Sequence, residues 1–386
     1  MKRKICVITG TRAEYGILRW IIHAIHIDKE LELQLLVTGT HLSPEFGLTF
    51  KQIELDGYLI SKKIEVLLSS DTSVGVTKAM GLGLISFGEI FNELKPDILI
   101  AAGDRFEMFT AVSAAMISLL PIAHIHGGEL SQGSIDEYMR HAISKMSSIH
   151  FTSTETYRQR VIQLGEHPNR VFNTGSPGLD NIKNLKLLSR KKLENIINFS
   201  FGKKSALVTF HSTTLEPNSA EKQTKELILA LDSVKDLKII FTYPNADTEG
   251  RIILNIILDY VNRNPSKSIA ISSLGQLNYL SSLQFIDLVI GNSSSGLIEV
   301  PSFKKPTINI GNRQKGRIRA ESVINALPNK INITKAIKIA LSSSFKEQLK
   351  NIENPYEEND SSNKIKNVLK KIDLKILKNK KFYDIN

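Results

Sequence analysis

The sequence contains little of what several common protein classes depend on. Its 386 residues include one cysteine, Cys6, which can form no internal disulfide. This fits a reducing compartment, and we expect a cytoplasmic protein. No apolar run approaches the ~20 residues that cross a bilayer. The short apolar run at the N-terminus ends in a Gly-Thr-Arg turn without a small-residue cleavage site, so neither a membrane partner nor a signal peptide is expected.

Other absences concern ligands. The net charge is +11, but the lysines are scattered and form no basic stripe with interleaved aromatics, so no nucleic-acid partner is expected. The turn Gly10-Thr-Arg-Ala-Glu-Tyr-Gly16 lacks the G-x-G-x-x-G spacing of a dinucleotide site, which disfavours NAD. The segment His124-Ile-His-Gly-Gly-Glu129 matches no standard metal-ligand spacing. We therefore expect no cofactor and no metal.

Short apolar runs alternate with helical patterns along the whole chain. These runs are β-branched and lack polar alternation, which is typical of strands buried on both faces of a parallel sheet. Strands that alternate with helices predict doubly wound α/β domains. The predicted strands are Lys4–Gly10, Leu33–Gly39, Asp97–Gly103, Pro121–His126, Ile149–Thr154, Val171–Gly175, Ala206–His211, Lys238–Tyr243, Ser268–Leu274, Leu288–Gly291 and Pro306–Gly311.

The alternation breaks in the polar, lysine-rich stretch 184–204. We place a first Rossmann-like lobe at residues 1–180, a second at 200–360, and a C-terminal helix within 361–386 that packs back toward the first lobe. Two doubly wound parallel-sheet lobes of similar size predict an active site in the cleft between them.

Most predicted strands end in glycine or polar residues. In open α/β sheets, ligands bind beyond the carboxyl ends of the strands. Arg, Asp, His and Glu recur at these ends, which favours an enzyme over a structural protein. Examples are Gly10-Thr-Arg12, Gly103-Asp-Arg105, His126-Gly-Gly-Glu129, Gly175-Ser176, His211 and Gly311-Asn-Arg313.

Several of these residues suit acid/base chemistry. Asp104 is a candidate catalytic carboxylate, with a helix N-cap as the competing interpretation, and Arg105 beside it could hold an anion. His126 ends its strand where a ligand would lie, whereas His124 lies deeper and is expected to be structural. Further titratable groups are Glu129, Asp136, Glu137 and His211.

The segment Asp287-Leu-Val-Ile-Gly-Asn-Ser-Ser-Ser-Gly-Leu-Ile-Glu299 predicts a strand, a turn and a helix N-terminus. Free N–H groups at such a terminus attract phosphate. The serine hydroxyls suit a diphosphate and Glu299 suits a ribose diol, although an ordinary capped helix fits the same residues. Arg12 is placed for a phosphate or for an ion pair with Glu14. Arg313 is the better candidate in a basic loop that is either phosphate-facing or solvated.

Taken together, these motifs resemble the hydrolysing UDP-N-acetylglucosamine 2-epimerases of bacterial sialic acid and legionaminic acid biosynthesis. The resemblance runs from about residue 3 to residue 330 and rests on the joint presence and order of the motifs. They are Gly10-Thr-Arg-Ala-Glu-Tyr-Gly16, Gly103-Asp-Arg105, His126-Gly-Gly-Glu129, Asp136-Glu-Tyr-Met-Arg-His-Ala-Ile-Ser-Lys145, Gly291-Asn-Ser-Ser-Ser-Gly296 and Gly311-Asn-Arg-Gln-Lys-Gly316.

The resemblance implies a glycosyltransferase-B-like fold, a homodimer and a UDP-sugar substrate. It implies proton transfer by Asp104 and Asp136, and a place for Arg105 and His211 near the diphosphate and the reacting sugar. The implied UDP site, held mainly by the second lobe, comprises Gly10, Arg12, Asn292, Ser293, Ser294, Glu299 and Arg313.

Two departures from the family pattern are visible. Many relatives carry Glu where this chain has His126, so the acid/base role there falls to His126, Glu129 or Glu137. Some relatives carry Ser where this chain has Gly16. The main expectation is hydrolysis of UDP-N-acetylglucosamine to N-acetylmannosamine and UDP. The same reaction on UDP-2,4-diacetamido-2,4,6-trideoxyglucose (UDP-N,N'-diacetylbacillosamine) is the alternative, followed by a non-hydrolysing epimerase, a glycosyltransferase and a nucleotide-sugar-binding regulator.

Overall fold

The computed structural model describes residues 2–68, 70, 72–245 and 248–385. Within them the strands are β1 (Arg3–Thr9), β2 (Leu31–Thr38), β3 (Lys62–Ile64), β4 (Ile98–Ala102), β5 (Ile122–Ile125), β6 (Ile149–Thr152), β7 (Val171–Asn173), β8 (Lys204–Thr209), β9 (Leu237–Thr242), β10 (Ser268–Ile271), β11 (Leu288–Gly291), β12 (Thr307–Ile310) and β13 (Val323–Ala326).

Helices connect these strands. They are α1 (Arg12–His26), α2 (Phe50–Leu55), α3 (Ser73–Leu94), α4 (Phe106–Ile117), α5 (Asp136–Met146), α6 (Glu155–Gln163), α7 (Asp180–Asn184), α8 (Arg190–Ile197), α9 (Ala220–Asp232), α10 (Gly250–Arg263), α11 (Gly275–Phe285), α12 (Ser295–Ile298), α13 (Lys330–Ala340), α14 (Ser343–Gln348), α15 (Ser361–Lys371) and α16 (Leu374–Lys378).

The chain divides into two compact units. The first comprises Met1–Glu129, Asp136–Lys183 and Tyr356–Asn386, and the second comprises Leu130–Ile135 and Asn184–Pro355. Each unit carries one parallel sheet with helical crossovers. The two predicted α/β lobes with doubly wound parallel sheets are therefore confirmed.

The first sheet has the strand order β3-β2-β1-β4-β5-β6-β7, all parallel where the structure describes them. Its two faces bury different residues of the same strand. Ile5 and Val7 of β1 pack with α1 and the C-terminal helices. Cys6 and Ile8 pack with α3 and α4. Burial also raises the pKa of the Cys6 thiol well above its ordinary value, so Cys6 is a packing residue.

The second sheet has the order β10-β9-β8-β11-β12-β13, again parallel throughout the described strands. Its core joins apolar residues of β8, β9, β11 and β12 to helices α9, α10 and α13. The strand order reverses between β8 and β11, as it does between β1 and β4 in the first sheet. Such reversals are where open α/β sheets bind ligands.

Four elements differ from the sequence-based expectation. Strands β3 and β13 were not predicted, because their sequences, Lys-Lys-Ile and Val-Ile-Asn-Ala, are short and partly polar. A helix, α8, lies within the polar stretch 184–204. The final helix is two helices, because Ile372 is extended and the Asp373 carboxylate caps α16 by accepting from Lys375 N at 2.9 Å.

Candidate active site

Gly10 and Asp104 lie on either side of the strand reversal in the first sheet. Gly10 follows β1 and Asp104 follows β4. Helix α1 begins immediately after Gly10 with a capping box, in which Glu14 N donates to Thr11 Oγ1 at 3.2 Å. Gly10 N donates to Glu14 Oε2 at 2.7 Å. Arg12, half-buried, is therefore the first residue of a firmly capped helix.

Buried carboxylates lie behind this turn. Glu14 and Glu107 are 5% and 1% exposed. Burial, together with the negative charge of Glu107, raises the pKa of Glu14. Arg105 Nε lies 3.4 Å from Glu107 Oε2. Arg105 is also the N-cap residue of α4. The alternative interpretation of Asp104 as that N-cap is therefore wrong.

Arg140 connects Asp104 to the loop that follows β5. Its guanidinium, 1% exposed, donates to the Asp104 carboxylate and, from Nη1, to the Glu129 carbonyl at 2.9 Å. The same Nη1 lies 3.6 Å from Glu137 Oε2. Asp136 begins α5 one turn before Arg140, so their side chains lie on the same helix face. Arg140 is a site residue that the sequence analysis did not single out.

The two histidines of the β5 region have different surroundings. His124, inside β5, is fully buried: its Nε2 donates to the Gly103 carbonyl at 2.7 Å, and its Nδ1 lies 3.0 Å from Ser144 Oγ. Burial lowers the pKa of His124 to about 3, so its ring is neutral and structural. His126 lies beyond the strand with φ +68. The alternation of a strand therefore does not determine where its side chain lies.

A tight turn after His126 orients that side chain. Gly128 has φ +77, and a Cβ there would lie 2.4 Å from the Tyr157 carbonyl oxygen, so only glycine fits. The chain then places Glu129, which is 0% exposed, with Oε1 3.1 Å from His126 Nδ1. His126, Glu129, Asp104 and Arg140 thus belong to one connected cluster in the first unit.

In the second unit, His211 and Asn292 lie on either side of the strand reversal. His211 N donates to Asn292 Oδ1 and Asn292 Nδ2 donates to the His211 carbonyl, both at 2.8 Å. Asn245 N donates to His211 Nδ1 at 3.0 Å, which leaves Nε2 as the protonated nitrogen of the neutral ring. Gly291 permits this close approach, because a Cβ at its φ of +140 would lie 1.8 Å from the Thr209 carbonyl oxygen.

The serine-rich turn follows β11 as expected, but the helix after it is short. Helix α12 has four residues and continues as a 3-10 turn that contains Pro301. Pro301 has no N–H to donate and prevents a longer α-helix. Ser293 and Ser294 are half-buried at its start, and Glu299 is its half-buried C-terminal cap residue.

Arg313 and Gln314 fold back onto the end of β11. Arg313 Nη1 and Gln314 Nε2 donate to the Asn292 carbonyl at 3.2 and 2.9 Å. The loop that carries Arg313 is therefore ordered against the serine-rich turn rather than extended into solvent. Gln314, 2% exposed, was not predicted to belong to this site.

The structure thus assembles the site residues into two groups. Gly10, Asp104, Arg105, His126 and Glu129 lie near the carboxyl edge of the first sheet, with Arg12 and Asp136 at helix starts beside it. His211, Asn292, Ser293, Ser294, Glu299 and Arg313 lie near the carboxyl edge of the second sheet. Among the described residues, no group of three or more His, Cys, Asp or Glu side chains is arranged to hold a metal ion.

The family model described as UDP-N-acetylglucosamine 2-epimerase matches residues 23–370 of this chain. The chain belongs to the UDP-N-acetylglucosamine 2-epimerase family. The resemblance inferred from the motifs is confirmed. Within the family, the chain is 43% identical over 385 residues to the GDP/UDP-N,N'-diacetylbacillosamine 2-epimerase (hydrolyzing) of Campylobacter jejuni, with 100% of each chain covered.

A second relative is polysialic acid biosynthesis protein P7 of Escherichia coli, 39% identical over 385 residues with 99% of this chain and 98% of the relative covered. Among solved structures, the UDP-GlcNAc 2-epimerase from Neisseria meningitidis bound to UDP-GlcNAc has a TM-score of 0.80. Its sequence identity is 18%, and the match covers 95% of this chain and 99% of that one. At this identity the likeness concerns the fold alone, which confirms the predicted architecture.

Proposed function

We propose that this protein is a hydrolysing 2-epimerase that converts UDP-N-acetylglucosamine to N-acetylmannosamine and UDP. The observation that carries the proposal is the 43% identity over the whole chain to a relative named as a hydrolysing 2-epimerase. The connected cluster of Asp104, Arg140, His126 and Glu129 supports it, because proton transfer needs titratable groups held in fixed positions.

The first chemical step removes the proton at C2 of the sugar and breaks the anomeric C–O bond, so that UDP leaves. Asp104 or Asp136 accepts the proton and a 2-acetamidoglucal forms. Water then adds its oxygen at C1 and releases a proton to solvent, and His126, which has taken up a proton from solvent, passes it to C2 on the opposite face. A positioned acid or base typically contributes ~10²–10⁴-fold to the rate. The reaction calls for no cofactor and no metal.

We assign UDP mainly to the second unit. Ser293 and Ser294 are placed for the diphosphate, with Asn292 behind them, and Glu299 for the ribose hydroxyls. Arg313 lies beside the same turn, 3.2 Å from the Asn292 carbonyl. Cationic and N–H groups in this position stabilise the charge that develops on the leaving diphosphate.

We propose further contacts to the UDP leaving group from His211, Arg105 and Arg12. His211 Nε2 is the protonated ring nitrogen, so it can donate to a diphosphate oxygen or to the sugar. The family resemblance also assigns Arg105, Arg12 and Gly10 to the UDP-sugar, with the two arginines as sources of positive charge. These assignments predict that substituting the arginines raises the Kd for UDP.

Isotope labelling tests the reaction. In heavy water, the product sugar should carry deuterium at C2, and oxygen-18 from water should appear in the sugar and not in UDP. Asp104→Asn should lose most turnover while UDP affinity, measured by calorimetry, is kept. Asp97→Asn is the matched control, because Asp97 precedes the same strand at its opposite end and accepts from Lys4 N at 2.8 Å. Oxygen-18 in UDP would exclude anomeric C–O cleavage, and near-normal turnover by Asp104→Asn would remove Asp104 from the mechanism.

A second substrate is favoured by a specific observation. The relative with 43% identity is named for N,N'-diacetylbacillosamine, the sugar of the alternative substrate UDP-2,4-diacetamido-2,4,6-trideoxyglucose. Assaying both nucleotide sugars with the purified enzyme and comparing kcat/KM, with NMR analysis of the products, decides between them. Sugar that stays attached to UDP would instead indicate a non-hydrolysing epimerase.

We also propose a homodimer that acts in the cytoplasm without binding membranes or nucleic acid. By length and composition, helix α3, with 22 residues and a mean hydropathy of 1.3, could cross a membrane. One such helix is weak evidence for a membrane span, because core helices of globular proteins meet the same criterion. Val74, Leu82 and Ile85 form an exposed stripe on α3, at 62%, 44% and 65% exposure. A second copy of the chain would cover it. Ile85→Lys should then shift the mass measured by light scattering from dimer to monomer, and an unchanged dimer would contradict this interface.

A further inference from the structure

Four side chains of the first unit form one hydrogen-bonded chain across three neighbouring strand ends. His126 and Glu129 follow β5, Ser153 follows β6 and Ser176 follows β7. Ser153 Oγ donates to Glu129 Oε1 at 2.7 Å, and the same oxygen lies 3.1 Å from His126 Nδ1. On the other side of the ring, His126 Nε2 lies 3.3 Å from Ser176 Oγ. The four residues are 5% exposed or less.

These contacts determine which ring nitrogen carries the proton. If Glu129 is ionised, its carboxylate can only accept hydrogen bonds, and Nδ1 then donates to it. The lone pair of the neutral ring is then on Nε2, where the Ser176 hydroxyl can donate to it. The backbone at His126 is also unusual, with φ +68. Non-glycine residues rarely adopt such a conformation unless their surroundings impose it.

We propose that Glu129 is a positioning residue that holds His126 in its Nδ1–H tautomer, so that Nε2 is the atom that takes up and releases the proton during catalysis. When Nε2 gains a proton, the ring becomes imidazolium while Nδ1–H keeps its bond to Glu129, and the carboxylate balances the new charge. When Nε2 returns the proton, the neutral tautomer is restored. The carboxylate itself neither gains nor loses a proton.

The contacts of His126, Glu129 and Glu137, the three acid/base candidates of this region, differ from one another. Glu137 faces other groups, since its carboxylate oxygens lie 3.6 Å from Arg140 Nη1 and 3.3 Å from His141 Nε2. Glu129 is held by Ser153 and His126. His126 therefore remains as the group that exchanges the proton. Because this step rests on the proposed function, its test includes a measurement that needs no substrate.

That measurement is the tautomer of His126 in the resting enzyme. Long-range proton–nitrogen NMR correlation of ¹⁵N-histidine-labelled protein distinguishes protonated from unprotonated ring nitrogens, and the signals lost in His126→Gln identify the residue. We expect Nδ1 protonated and Nε2 unprotonated. In Glu129→Met, which has similar volume and no acceptor, both tautomers should be populated, and Glu129→Asp should retain the wild-type pattern. An Nε2–H tautomer of His126 in the wild-type enzyme would overturn the proposal.

Steady-state kinetics of Glu129 and His126 variants is the second test of the proposal. Glu129→Met should lower kcat by about 10²-fold with little change in KM, and Glu129→Asp should recover part of the loss. The double variant with His126→Gln should be no slower than His126→Gln alone, because Glu129 acts through His126. Losses that multiply in the double variant would show that Glu129 acts independently and would overturn the proposal.

A matched control exists in the same unit. Glu166, also buried, lies 3.0 Å from a buried histidine, with its Oε2 facing His150 Nε2. Glu166→Gln, assayed below its melting temperature, should keep kcat close to that of the wild type. If kcat fell as far as in Glu129→Met, general destabilisation would explain both losses, and the positioning role would be rejected. Absence of turnover of any UDP-sugar by the wild-type enzyme would refute the proposed function and leave the tautomer measurement standing.

Discussion

Glu166 is the buried centre of an ionic cluster that ties the C-terminal segment to the rest of the first unit, and its removal should weaken that unit strongly. Its carboxylate lies 2.8 Å from Lys145 Nζ, 2.7 Å from Lys380 Nζ and 3.0 Å from His150 Nε2. Burial alone would raise the pKa of Glu166, but these three partners outweigh it and lower the pKa from 4.5 to about 2.

The size of the effect follows from the two pKa values. At 1.36 kcal/mol per pKa unit, the interval from 4.5 to about 2 corresponds to about 3 kcal/mol of stabilisation at pH 7. This is an upper limit, because Lys145 is 43% exposed and solvent screens its ion pair. The folded pKa lies below the unfolded one. The stabilisation is therefore complete above pH 4.5 and is lost as the pH falls toward 2, with about 1.4 kcal/mol left at pH 3.

Urea denaturation of Glu166→Gln at several pH values between 3 and 7 measures this. The single tryptophan, Trp20 on α1, makes fluorescence a reporter of the first unit. The stability difference from the wild type should shrink as the pH falls. Glu54→Gln is the control, since Glu54 forms an exposed pair with Lys63 at 2.8 Å and should change stability by less than about 0.5 kcal/mol. A stability difference that stayed constant from pH 7 to pH 3 would refute the assigned ionic role.

Three further predictions follow from the same unit. Gly128→Ala should destabilise the protein by more than about 1 kcal/mol in urea denaturation, because its Cβ would lie 2.4 Å from the Tyr157 carbonyl oxygen; unchanged stability would contradict the turn. Arg140→Lys should lower kcat by about 10²-fold, since one ammonium cannot hold both Asp104 and the 129 carbonyl; an unaltered kcat would exclude a positioning role. Thr11→Ala should lose about 1 kcal/mol of stability through the N-cap, whereas Thr11→Ser should not.

The strands that sequence patterns identified best are the buried central ones. Leu288–Gly291 was predicted with its observed bounds, and β1 was displaced by one residue. Such strands are apolar on both faces and are bounded by glycine or polar residues, so their signal is local. The edge strands β3 and β13 were missed, because neighbours in the sheet, and not their own composition, hold them in place.

The candidate site shows the same division. Polar residues at strand ends could be located from sequence, because the carboxyl ends of parallel strands mark the ligand-binding edge. Arg140 gave no such signal, since an arginine on an amphipathic helix is usually solvated. Its buried bonds to Asp104 and to the Glu129 carbonyl depend on how α5 packs. Ser176 was noted only as a strand end, and its position beside His126 Nε2 joins residues far apart in the chain.

The order of glycines, acids and hydroxyls along the chain was sufficient to predict two parallel α/β units and membership of the 2-epimerase family. These properties depend on periodicity and on residues adjacent in sequence. The tertiary structure decided which carboxylate faces His126 and which arginine holds Asp104. Such contacts join residues from separate strand ends and helices, and only packing brings them within hydrogen-bonding distance.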